Sequence, residues 1–483
     1  MSVPGILWYS GFTETGHVPI VYQEVNKMKK LLSVALAVSM AFSLTACSSP
    51  TSGGNASGTG GGNEASADKD GQNSGRQGKV RLTYLSRYTN PEDNRAKFFM
   101  DRLDEFRTQN PDIEIEDISV TDSDAYMSKM KSLIAAGAAP DVFACSAQIP
   151  RYDLAKNGAI ANVKPLIQSP EWTGPSDPKF FLGYDFSDMG LDGVYGVPNN
   201  LSTLQMFINT KLLEERGLPI PETWEDVESI AQPLISDGIT PVGLSAKNKP
   251  KCMMFFTLLG VKMYGMDFQK KFAEGYVDWN DPQVMDVLDK FKSYIDMGMF
   301  GPDAISFAYD NVMSDFEQGK VAILFEAGFQ FAKIQDMSNS QDVACVNFFV
   351  FKDKPEYGNI WFTDYYEGLC IGSKPGTREY DAAVKLFTFM LSQDTFNRYA
   401  ETMGGGAYPL EVEFDRSRMG NIMEDFMNEY KECGEITALL TSYNNDPVIA
   451  DLTASEMQTL FVGRSTEEIA RTLTAEYEKA FRK

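Results

Sequence analysis

Six segments of this chain gather amides, hydroxyls, carboxylates and aromatic rings where strands are expected to end. They are Ser86-Arg87-Tyr88, Cys145-Ser146-Ala147-Gln148, Asn199-Asn200-Leu201-Ser202, Glu326-Ala327-Gly328-Phe329, Trp361 to Glu367 with Asp364, Tyr365 and Tyr366 inside it, and Asn444-Asn445-Asp446-Pro447. Ring faces stack on apolar C–H surfaces, and planar amides and carboxylates pair with groups that donate and accept at once. That is the chemistry of noncovalent recognition. Covalent and metal chemistry has less material. His17 is the only histidine in 483 residues, which argues against most hydrolytic triads and most zinc sites. Acidic residues number 67 against 44 basic ones, so composition leaves a two-carboxylate glycoside-cleaving site open, although no segment resembles a hydrolase motif. The formal net charge of −23 argues against a general nucleic-acid or anionic-membrane binder, since both need a basic face.

These segments need a scaffold. At one domain per about 100–200 residues, the length suggests two or three domains. Val80 to Leu85 reads as a strand. Phe98, Phe99, Leu103 and Phe106 then recur at helical spacing, and Asn110-Pro111 ends that helix. Ile113 to Glu116 alternates as a second strand, Tyr126 to Ala136 carries a helical face, and Pro140-Asp141-Val142-Phe143 opens a third strand. A β-α-β-α-β order implies parallel pairing with crossover helices, hence an open α/β sheet. Ligands of such sheets sit beyond the carboxyl ends of the strands.

The first 78 residues read as processing and tether. Lys29-Lys30, an apolar run from Leu31 to Phe42, and Leu44-Thr45-Ala46-Cys47 follow in order. The run is too short to span a membrane and reads as a secretory signal over 28–46. Its end resembles a bacterial lipobox, which implies diacylation of Cys47. Residues 1–27 precede a complete signal beginning at Met28, and read as a misassigned leader. Removal of residues 1–46 would take His17 away as well. From Ser48 to Gly78, Gly, Ser and Asn make up more than half of the chain, so 47–78 reads as a lipidated cysteine and a flexible tether. The long tether leans toward a Gram-positive origin.

Along nearly its whole length the body resembles the extracellular solute-binding proteins of bacterial ABC importers, sugar-binding branch. The segments that carry the resemblance are Ala139-Pro140-Asp141-Val142, Gly158 to Val163, Gly193 to Pro198, Phe207 to Leu213, Gly217-Leu218-Pro219 with Pro221 to Trp224, Phe316 to Ile323, and Tyr380 to Ser392. Each is loose alone; their order and spacing together are specific. The resemblance implies a two-lobed periplasmic-binding-protein-like fold, each lobe an open α/β sheet, with the ligand cleft between lobes. Lobe 1 would combine 79–199 with 372–420, and lobe 2 would combine 200–371 with 421–483. It implies a membrane-tethered, non-enzymatic, monomeric receptor on the outer face of the cell membrane. Such a receptor needs no cofactor and delivers a carbohydrate to the importer's permease subunits. The expected ligand-binding residues are Arg87, Tyr88, Ser146, Gln148, Asn199, Asn200, Ser202, Glu326, Phe329, Trp361, Tyr365, Tyr366, Glu367, Asn445 and Asp446, with Phe329 where the family commonly stacks an aromatic ring. Two alternatives remain within binding. Glu326, Asp364, Glu367 and Asp446 would serve a polyamine, and Tyr365-Tyr366 a ferric chelate; a peptide is a further option.

Other conspicuous residues read as structural. Thr223 and Asp226 fit a capping box, with Trp224 and Trp279 as packing residues at helix starts; Trp172 has no evident place. The resemblance implies that Asp141, the residue after Pro140, is a fold residue near the lobe junction. Gly404-Gly405-Gly406 lacks the Lys-Ser/Thr of a phosphate loop and reads as a backbone turn. The six cysteines are too few for a disulfide scaffold; Cys145, Cys345 and Cys370 sit in apolar runs and suit buried thiols.

Overall fold

The computed structural model describes residues 78–145, 151–181, 183–273, 275–440 and 446–482. The leader, the signal segment, Cys47 and the tether to residue 77 lie outside the described residues, as do Ser146, Gln148 and Asn445. The body begins with β1 (Val80–Leu85), α1 (Asn94–Gln109), β2 (Ile113–Asp117), α2 (Ser123–Ala135) and β3 (Val142–Cys145). This is the β-α-β-α-β order expected from the periodicity, and β1 pairs in parallel with both β2 and β3. At the start of α1, Asp93 Oδ1 accepts the Ala96 N–H at 2.7 Å, satisfying one of the donors that a helix start leaves open. The helix buries Phe98, Phe99, Leu103 and Phe106 and stops at Asn110, because the following proline disfavours αR there.

The chain continues through β4 (Val197–Asn209), α3 (Trp224–Ser236), β5 (Thr240–Gly243), α4 (Lys249–Tyr264), α5 (Pro282–Asp296), α6 (Tyr309–Glu317), β6 (Val321–Ala327), β7 (Val343–Val346) and β8 (Ile360–Ile371). It closes with α7 (Arg378–Met390), α8 (Gln393–Met403), α9 (Asn421–Tyr430), β9 (Glu435–Thr437), α10 (Pro447–Thr459) and α11 (Thr466–Phe481). The main sheet runs β2-β1-β3-β8-β4-β6-β5, with β9 joined to β8 and β7 to β4. Its middle is a pair of long antiparallel strands. In β8, residues 368–371 pair with β3, residues 363–369 with β4, and residues 360–362 with β9. In β4, residues 197–203 face β8 and 204–208 face β6. Both strands cross from one α/β half to the other, so the architecture is two lobes, each an open α/β sheet.

The crossing strands correct three expectations. Asn199–Ser202 and Trp361–Glu367 were expected as loops; they lie inside β4 and β8. Glu326 lies inside β6 rather than after it. Polar residues at a lobe junction do not end a strand that continues into the next lobe. Instead, the β4–β8 ladder shifts register between Asp364 and Glu367 and again before Gly368, which re-aims side chains without ending the strand.

Packing answers the tryptophan question. Trp224 and Trp279 are fully buried. Trp172 donates its indole N–H to the Pro175 carbonyl at 2.9 Å, with its ring 6.0 Å from that of Phe387. Asp141 ties the first strand to the chain leaving β8. Its Oδ2 accepts the Thr83 N–H and hydroxyl at 2.7 and 2.8 Å, and its Oδ1 accepts from Ser373 at 2.6 Å. Cys145, Cys252, Cys345, Cys370 and Cys433 are buried and unbonded to one another. Among the described residues, no helix is long and apolar enough to cross a membrane.

The α3 start is the expected capping box of Thr223 and Asp226, and Lys352 adds an ion pair to Asp226 at 2.7 Å. Lys352 first, and then the Thr223 hydroxyl, hold the Asp226 carboxyl down at about 2. The folded pKa lies below the unfolded value of about 3.9. The stabilisation is therefore complete above pH 4 and is lost as pH falls through 2. Asp226→Asn is expected to lower stability at pH 7 by about 1–2 kcal/mol in urea unfolding, with the gap to wild type closing between pH 4 and pH 2.

Candidate functional site

A cavity of about 930 Å³ is floored by Asn200, Leu201, Ser202, Thr203 and Leu204 of β4. One wall is the turn Glu92–Arg95 that starts α1, together with Tyr399 and Met403 of α8 and the following turn Gly404–Tyr408. The other wall carries Lys251 and Met254 of α4, Tyr309 of α6, Ala327 and Gly328 at the end of β6, and Phe331. Ala332, Gln335, Asp336, Phe362, Gly420 and Met423 complete the lining.

The first wall is built on an aromatic stack. The Tyr88 ring lies 4.6 Å from Phe99 in a stacked pair, Phe99 lies 5.1 Å from Tyr399, and Tyr399 lies 5.8 Å from Tyr408. Burial pushes the Tyr399 and Tyr408 phenols well above their ordinary range, so both remain protonated donors at neutral pH. The Tyr408 hydroxyl donates to the Gly405 carbonyl at 2.9 Å. The three glycines form the expected backbone turn. Gly404 ends α8 in the left-handed conformation, and Gly405, at φ +112°, would bring a Cβ within 2.7 Å of Met423 Cγ. The turn also lines the cavity, which its sequence did not announce.

The second wall holds a buried ion pair. Lys251 and Glu326 are each 1% exposed. Lys251 Nζ bonds Glu326 Oε1, which also accepts the Ala327 N–H at 2.8 Å. Burial lowers the Lys251 pKa and the Glu326 carboxylate raises it back in part. The Lys251 ammonium lies 5.3 Å from the Tyr309 and Phe325 ring centroids.

Of the expected site residues, Asn200 and Ser202 line the cavity. Glu326 reaches it through Lys251. Arg87, Tyr88, Asn199 and Glu367 are absent from the lining: Arg87 is half-buried and its Nε donates to Oε1 of Glu367, which is 1% exposed, at 2.9 Å, and Tyr88 and Asn199 are buried. Trp361 is buried against Phe426 and Tyr430, with centroids at 5.9 and 5.3 Å; it packs the core. Asp446 caps α10, accepting the N–H groups of Val448 and Ile449. The side chains of Phe329, Tyr365 and Tyr366 lie outside those described, as do Ser146, Gln148 and Asn445 entirely. The residues missed were the helix starts that follow strands: Glu92–Arg95 after β1 and Lys251 after β5. Asn90-Pro91 and Asn248-Lys249-Pro250 mark those starts in the sequence, and carboxyl ends of parallel strands are where such a cleft forms.

The family model described as bacterial extracellular solute-binding protein matches residues 91–395. A Pyrococcus horikoshii protein named as an uncharacterized ABC transporter extracellular-binding protein is 25% identical over 223 residues, covering 45% of this chain and 49% of its own length. A solved chitin oligosaccharide binding protein aligns with a TM-score of 0.68 at 18% identity, over 84% of this chain and 100% of its own. The bacterial solute receptor AcbH, whose structure report describes an exclusive preference for β-D-galactopyranose, aligns with a TM-score of 0.68 at 16% identity, over 84% and 99%. These likenesses show a shared fold.

Proposed function

We propose, from the premise that this chain belongs to the family of bacterial extracellular solute-binding proteins, that it captures a carbohydrate and delivers it to the permease subunits of an ABC importer. The observation that carries the reading is the cavity of about 930 Å³. Its size lies in the range of small-molecule sites. Aromatic rings and neutral phenols form one side, and amide, hydroxyl and ammonium groups form the others. The similar proteins support it: an ABC transporter extracellular-binding protein, a chitin oligosaccharide binder and a galactopyranose receptor.

In this reading lobe 1 comprises 79–199 with 372–420, and lobe 2 comprises 200–371 with 421–483. Ligand bridging both walls favours the closed state by no more than its preference for closed over open, and β4 and β8 carry the bend. The protein acts as a monomer without cofactor or enzymatic turnover. Cys47 holds it on the outer face of a Gram-positive membrane through two acyl chains, since one alone anchors only marginally, and residues 48–78 let the body move above the bilayer.

A thermal-shift panel of oligosaccharides, polyamines and ferric ion tests the reading. A saccharide at a hundredfold excess over its Kd is expected to stabilise the folded chain by about 2.7 kcal/mol, seen as a rise of a few degrees in Tm. A shift with a polyamine or ferric ion and none with any saccharide overturns the carbohydrate assignment, and turnover of a glycan by the pure protein overturns the receptor reading.

A further inference from the structure

The Lys251–Glu326 pair is placed against three physical preferences. Lys251 stands in the first turn of α4, where the helix dipole disfavours a cation. It is buried, as is its partner, and both ions lose hydration that a contact between them does not fully restore. The helix start beside it lacks a side-chain cap, although Asn248 occupies the capping position. Groups that break several local rules at once are expected at functional positions rather than in plain scaffold.

The pair also has unused hydrogen-bonding capacity. Lys251 Nζ carries three donors, and one goes to Glu326 Oε1. Glu326 Oε2 is buried with no hydrogen-bond partner. Thr203, on the cavity floor and 1% exposed, has an unpartnered hydroxyl. Gln205 pairs in register with Glu326 on the neighbouring strand, is fully buried, and has neither amide atom bonded. Buried polar atoms without partners are rare and costly. Here three side chains on two adjacent strands share that condition next to Lys251, and Thr203 and Lys251 line the cavity.

The charge balance of this cluster selects among ligands. The ammonium and carboxylate cancel, and Thr203 and Gln205 are neutral. An anionic ligand would meet Glu326 and a cationic one would meet Lys251, each at low dielectric, where a like charge costs most. A hydroxyl meets neither objection, because it accepts from the ammonium and donates to the free carboxylate or threonine oxygen.

Resting on the carbohydrate reading above, we infer that Lys251, Glu326, Thr203 and Gln205 form a hydroxyl-recognition site that admits an uncharged sugar ring and rejects uronic acids and protonated amino sugars.

Titration calorimetry on the full chain tests this with D-galactose, D-galacturonic acid, D-galactosamine, raffinose, chitin oligosaccharides and spermidine. Wild type is expected to bind a neutral saccharide at least about 100-fold more tightly than its charged analogues. The double variant Lys251→Met with Glu326→Leu removes both charges together, a change that buried pairs tolerate, and is expected to lose at least about 100-fold in affinity for that saccharide. Thr203→Val, which keeps the ion pair, is expected to lose about tenfold and decides the matter should the double variant fail to fold. Wild type that prefers a charged sugar, or variants that bind within threefold of wild type, overturn the inference and leave the carbohydrate receptor standing. Binding of spermidine with no saccharide bound overturns the carbohydrate assignment and the inference with it.

Discussion

Arg87→Met is expected to destabilise the folded body by about 3–5 kcal/mol at pH 7, measured by chemical denaturation. The size follows from where the charge is left. Glu367 is 1% exposed and lies in β8 where the β4–β8 register shifts. Its Oε1 takes the Arg87 Nε–H at 2.9 Å, and its Oε2 has no partner. Tyr84, Tyr88 and Tyr126 surround it closely enough that its charge adds to the burial that raises their phenol pKa values. Among the described residues, Arg87 is the cation that bonds Glu367, so truncating it leaves a buried carboxylate without its ion-pair partner. Removing both charges should cost far less. Arg87→Met with Glu367→Met is expected to recover most of the loss, giving a coupling energy of about 2 kcal/mol or more. A loss below about 1 kcal/mol in the single variant would mean that the pair behaves as a surface contact. The pair matters to function because Arg87 follows β1 of one lobe while Glu367 sits on a strand shared by both. It ties the crossing strand to the chain that leaves β1.

The sequence made the scaffold legible and the site only in part, and the difference has a physical cause. β1 to β3 and their helices announce themselves through local periodicity and through stops such as Asn110-Pro111, which act within a few residues. The Thr223–Asp226 capping box was readable for the same reason, because its partners lie three residues apart. The site depends on which strands cross. Asn199–Ser202 and Trp361–Glu367 look like loops because they are polar, and they are strands because β4 and β8 pair with each other across more than 150 residues of sequence. Trp361 drew attention as an aromatic in a polar cluster; its ring is committed to Phe426 and Tyr430, which lie about 65 residues downstream. Lys251 was passed over since a lone lysine near a helix start carries no motif. Only the tertiary fold shows that it is buried against Glu326, 75 residues away.

Trp224→Ala carries the other large expected effect, about 3–5 kcal/mol, and it acts through packing alone. The indole is fully buried. Its ring lies 5.5 Å from Phe255, 5.0 Å from Tyr294, 5.1 Å from Phe348 and 5.6 Å from Phe349. Those four rings come from α4, α5 and the segment after β7, so one side chain joins three parts of the apolar core around it. Truncation leaves a cavity that rigid aromatic neighbours fill poorly, which places the cost toward the upper end. The indole nitrogen has no hydrogen-bond partner, so Trp224→Phe surrenders volume and no polar contact and is expected to cost about 1–2 kcal/mol. A polar role for the nitrogen would reverse that expectation, with the phenylalanine variant losing nearly as much as alanine. Trp224 is absent from the cavity lining. Ligand affinity measured on the folded fraction should therefore stay within about threefold of wild type, while the melting temperature falls. A parallel loss of affinity and stability would show instead that this core sets the position of Lys251, one turn before Phe255 on the same helix, and that the second wall of the cavity is only as rigid as the aromatic cluster behind it.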